Sequence, residues 1–128
     1  MFLHTYQKNI SRVNSYLMDI KDSIRLQLNI VENDITRNNK IIKESKKSLK
    51  EIKSSFDTSY LILSSSQVAK VNEYAEIDSL QEIIDIREKE IEELNVRKEE
   101  LVEKLHEIEE VITCSSSIKE YFDKKSFT

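Results

Sequence analysis

The chain has 128 residues and contains no glycine, no proline and no tryptophan. Glycine supplies left-handed backbone and proline presets φ, so the usual residues of tight turns are missing. Their absence also removes glycine-rich phosphate cradles, GxGxxG fingerprints and the nucleophile elbow. Cys114 is the only cysteine. It allows no intrachain disulfide and no thiol set at zinc-ligand spacing, and it fits a reducing compartment. Met1 to Ile10 holds His4, Gln7, Lys8 and Asn9 where a signal peptide needs an apolar core. The longest apolar run, Tyr60 to Leu63, is too short to span a bilayer. The expectation is a non-enzymatic protein with no cofactor, no metal, no membrane span and a cytoplasmic location, from which any export proceeds without a Sec signal peptide.

What is present is helix. Charged residues make up 34% and hydrophobic residues 38% of the chain, enough for narrow apolar stripes but not for a thick core. Leu3, Tyr6, Ile10, Val13, Leu17, Ile20 and Ile24 recur at alternating spacings of three and four, which is a helical seam. After one extra spacing of four, a stutter, the seam continues through Leu28, Val31, Ile35, Asn38, Ile42, Ser45, Leu49, Ile52 and Phe56. A second seam runs through Ile77, Leu80, Ile84, Arg87, Ile91, Leu94, Lys98, Leu101, Leu105, Ile108 and Ile112. Between them lies a segment rich in serine and threonine, in which Ser64 and Gln67 make a capping-box pattern. A second serine cluster, Thr113 to Ser117, reads as a break before a short terminal helix. The predicted organisation is a first long helix at 1–56, a turn at 57–66, a second long helix at 67–113 and a short C-terminal helix or tail at 117–128.

The predicted fold class is all-α: a long antiparallel two-helix coiled-coil hairpin that completes a helical bundle with a partner or a second copy. If the chain reverses near residue 61, facing residues have numbers summing to about 122, and the seams meet layer by layer. Residues 1–64 carry eleven basic and seven acidic side chains, residues 65–128 nine and seventeen, so the halves attract. A slip of one heptad satisfies the same periodicity. A parallel homodimer through the second seam, with Ile77, Ile84 and Ile91 alternating with Leu80, Leu94 and Leu101, is the competing arrangement.

Tyr16, Ile30, Ile41, Ile83, Ile86, Val102 and Val111 lie off the seams and widen the apolar face toward a further helix, which makes them candidate partner-binding residues. Tyr121 and Phe122, behind the capping-box pair Ser117 and Glu120, are candidate aromatic anchors. Packing back onto Leu3 and Tyr6 is the alternative for both rings. His106 with Glu103 and Glu110 on its helical face reads as exposed i,i+4 pairing rather than a metal site. The lysine-rich run from Arg37 to Lys53 lacks interleaved aromatics in a chain of pI near 5.3, which argues against nucleic acid as a partner.

A short hairpin with an aromatic-tipped tail, Glu120 to Lys124, and the YxxxD pattern Tyr74 to Asp78 resembles the small helical proteins of Gram-positive type VII secretion loci. These are the WXG100-like proteins and the helical partners of LXG toxins. The W-x-G turn that defines the former is absent, and YxxxD falls early in the second helix rather than after it. The resemblance implies a partner or targeting factor, or a small substrate, that pairs with a toxin's helical domain, with Tyr74 and Asp78 as the candidate export signal. The alternative resemblance is to the FliJ/YscO group of coiled-coil stalk proteins in type III and flagellar export.

Overall fold

The computed structural model describes backbone for residues 2–60 and 67–126, and side chains for residues 4–55 and 74–125. It consists of two helices that pack against each other, α1 (Phe2–Tyr60) and α2 (Gln67–Ser126), with no strand among the described residues. The all-α helical hairpin expected from the seams is therefore the fold. Ser64 of the capping-box pattern and positions 61–66 of the expected turn lie outside the described residues.

α1 runs unbroken through the stutter at Ile24 and Leu28. α2 likewise runs unbroken through Thr113 to Ser117, so the expected break and separate terminal helix are corrected to one continuous helix. The reason is where the hydroxyls go. Thr113 donates to the Glu109 carbonyl at 2.9 Å and Ser117 to the Thr113 carbonyl at 3.0 Å, bonds that stay within the helix instead of competing with it. Ser115 donates to Asn14 Oδ1 on the other helix. With no glycine or proline nearby, nothing ends the helix there. Lys124 and Lys125 in its last turn oppose the negative end of the helix dipole.

The packing divides into two compact units, Met1–Glu32 with Arg97–Thr128, and Asn33–Val96. In the first unit Val31 and Leu101 are buried, Leu101 at 1% exposure. Gln7 Nε2 donates to the Phe122 carbonyl at 3.4 Å and to Asp123 Oδ1 at 3.1 Å, Lys21 meets Glu109 at 3.7 Å, and Lys98 meets Glu32 at 3.8 Å. Numbers rise along one helix as they fall along the other, so the pair is antiparallel. Facing residues sum to about 129 rather than 122, one heptad from the register expected from the sequence.

In the second unit Ile42, Leu49 and Ile84 form the buried cluster, with Ile77, Leu80 and Ile91 packed against it. Asn38 and Ser45, the polar seam positions, are also buried there. Asn38 Oδ1 accepts a hydrogen bond of 3.2 Å from Arg87, which also pairs with Glu90 at 3.3 Å. No buried side-chain nitrogen or oxygen is left without a partner among the described residues. Within the lysine-rich run Lys46 meets Glu88 across the helices at 3.4 Å, whereas Arg37 turns to Asp34 on its own helix at 2.9 Å.

Candidate interaction surface

Labelling the seam residues a and d places the flanking positions e and g on opposite sides of an antiparallel pair, e beside e and g beside g. The two flanks differ in each unit. In the first unit the e flank is closed by polar bridges from Asn14 to Ser115, Lys21 and Arg25 to Glu109, and Lys98 to Glu32. Val102 stands exposed on this side, across the first unit from Tyr16.

The g flank of the same unit carries apolar side chains among polar ones. Tyr16, Val111 and Ile118 are exposed on it, Tyr16 at 67%. Between the helices runs an open groove of ≈ 270 Å³ lined by Tyr6, Asn9, Ile10, Val13, Ser115 and Ile118. Ile30 is exposed on this side too, near the hydrogen bond of 3.2 Å from Arg97 to Gln27. Tyr6, Val13 and Ile118 were not singled out by the sequence. Tyr6 and Val13 sit on the seam, and Ile118 fell beyond the expected break. Its position one heptad after Val111 was the available signal.

In the second unit Lys46 and Glu88 bridge the e flank. Tyr74 and Asp78 are both exposed, four residues apart on the outer side of α2. The g flank carries exposed Ile83 and Ile86 with half-buried Ile41. It also carries a polar recess of ≈ 340 Å³ lined by Asp34, Arg37, Asn38, Arg87, Glu90 and Glu93 with Leu94.

The tail residues separate. Phe122, half-buried, packs on Tyr6 with ring centroids 4.8 Å apart, the packing-back contact that the sequence offers as the alternative to an anchor. Tyr121 meets the edge of Phe122 at 5.6 Å but remains exposed, with Lys125 Nζ 5.6 Å from its ring centroid. His106 Nε2 lies 3.1 Å from Glu110 Oε1, the i,i+4 pairing read from the sequence. No group of three or more potential metal ligands occurs among the described residues. None of the helices is long and apolar enough to cross a membrane, again among the described residues. Comparison with protein-family models, with curated proteins and with solved structures finds no match to this chain.

Proposed function

We propose that the chain is a non-enzymatic interaction module that offers helix surface to another helical protein, and that the partner is the helical domain of a toxin exported by a type VII secretion system. The observation that supports this reading is the exposed pair Ile83 and Ile86 on the g flank of the second unit, beside half-buried Ile41, while the Lys46–Glu88 ion pair bridges the opposite flank. A partner helix gains by covering apolar side chains and gains nothing by displacing satisfied charges. In this reading Ile41, Ile83 and Ile86 bind the toxin's helix, and the type VII assignment rests on the sequence resemblance alone. Tyr74 and Asp78, both exposed, serve as the export signal.

The test is co-expression with the helical domain of an LXG toxin encoded beside the gene, followed by affinity purification. Replacing Ile83 and Ile86 by glutamate should leave helicity unchanged by circular dichroism and abolish co-purification. Capture at the unsubstituted level by a fully helical variant would refute the binding face.

A further inference from the structure

We infer that the apolar flank of the first unit is a self-interface, on which a second copy of this chain docks antiparallel about a two-fold axis close to Tyr16. An isologous contact requires a surface that complements itself, with residue i against j and j against i. The flank meets that requirement on both helices.

Along α1 the outward strip reads Asn9, Arg12, Tyr16, Asp19 and Ser23, at spacings of three and four. Arg12 and Asp19 are exposed, carry opposite charges and have no partner among the described residues. They lie on either side of Tyr16 at nearly equal distance. A two-fold axis at Tyr16 therefore sets each Arg12 against Asp19 of the other copy, stacks the two Tyr16 rings and brings Asn9 to Ser23. Along α2 the same operation pairs Val111 of each copy with Ile118 of the other, because their midpoint lies beside Tyr16 in the antiparallel register of this unit. Thus one axis satisfies the charges of α1 and the apolar residues of α2 together.

The area is sufficient. Tyr6, Val13, Tyr16, Val111, Ile118 and Tyr121 are all exposed, and at those exposures they present on the order of 600 Å² per copy, where a standard interface buries about 800 Å² per partner. The polar rim supplies the remainder. A helix of unrelated sequence offers no reason for Arg12 and Asp19 to be matched about Tyr16. A second copy does. The contact is independent of the toxin-binding reading, which uses the second unit.

Sedimentation equilibrium of the full chain at micromolar concentration should give a dimer. Arg12→Asp alone, or Asp19→Arg alone, sets like charges opposite each other twice and should weaken dimerisation roughly ten-fold or more. The combined exchange, Arg12→Asp with Asp19→Arg, should restore it. Both positions are exposed and unpaired, so folding is not at stake, and circular dichroism checks this. Tyr16→Cys in a Cys114→Ser background should form an intermolecular disulfide under mild oxidation. A monomeric wild-type chain would overturn the proposal, as would a dimer insensitive to the single charge reversals or not restored by the exchange.

Discussion

Among the described residues few side chains are fully enclosed, so their contribution to stability is concentrated in a small number of them. Leu101 at 1% and Ile84 at 2% exposure are the most deeply buried of these. Truncating either to alanine removes three methyl-equivalents from a packed layer and should cost about 2–4 kcal/mol, measured as a shift in urea midpoint at constant slope. Tyr16→Ala in a monomeric background should cost under about 0.5 kcal/mol, because an exposed ring contributes little to folding. A drop as large as that of Leu101 would mean that Tyr16 packs against its own chain. Asn38 is the more instructive case. Taken as a bare polar residue in an apolar seam, it should be improved by leucine. It is instead the acceptor for Arg87 at 3.2 Å, and a hydrogen bond to a charged group is worth about 1.5–3 kcal/mol. The apolar gain of Asn38→Leu is therefore offset, and its net effect should stay within about 1 kcal/mol of zero. A double-mutant cycle between Asn38→Ala and Arg87→Ala should return a coupling above about 1 kcal/mol. Additive behaviour would mean that the bond contributes nothing.

At the level of the helices, existence and seam were legible but register was not. A pattern with a period of seven looks the same after a shift of seven, so Leu28, Ile42 and Leu94 cannot choose between alignments that each give apolar layers. What separates these alignments is the pairing of the charges that flank the seams. Lys21 pairs with Glu109, Lys46 with Glu88 and Glu32 with Lys98. A slip of one heptad in either direction would replace Glu109 by Val102 or Ser116, Glu88 by Gln81 or Asn95, and Lys98 by Ile91 or Leu105. Every neighbouring alignment thus loses all three opposite-charge contacts. Each is worth only ~0–1 kcal/mol, but alignments with equivalent apolar layers are separated by just such differences. Cysteines at Leu49 and Leu80 in a Cys114→Ser background should therefore form an intrachain disulfide, whereas cysteines at Ile42 and Leu80 should not. The reverse result would restore the alignment expected from a reversal near residue 61. The continuity of α2 through Thr113 to Ser117 is hidden in the sequence for a different reason. Hydroxyl side chains favour caps when they bond outside the helix, and sequence does not show that Thr113 and Ser117 bond back to carbonyls four residues earlier.

For the molecule as a whole, the candidate surface was half legible. Tyr16, Ile83, Ile86 and Val111 were recognisable as off-seam and are exposed, but that Tyr16 and Val111 share one flank of the first unit while Val102 lies on the other becomes visible only once the helices of that unit are aligned. Phe122 was ambiguous between anchor and internal packing in the sequence, and in the structure its ring meets Tyr6 while staying half-buried. The charge distribution has a consequence at this largest scale. The net charge of −4 is small, but it is split into +4 over residues 1–64 and −8 over residues 65–128. Each helix therefore carries an excess of one sign, and folding brings opposite excesses together. Inter-helix attraction between exposed groups acts over less than a Debye length, about 10 Å at 0.1 M salt and about 30 Å at 0.01 M. Raising sodium chloride from about 0.01 M to about 0.3 M should screen this attraction before salt strengthens apolar burial appreciably. The melting temperature is expected to fall by a few degrees over that range, at a fixed protein concentration and with the Arg12→Asp variant used to remove any dimer contribution. Repulsion within the acidic half of the chain works in the opposite sense, since screening relieves it. A melting temperature that rises with salt would show that this repulsion outweighs the pairing of Lys21, Lys46 and Lys98 with their partners, and that the apolar layers alone hold the two helices together.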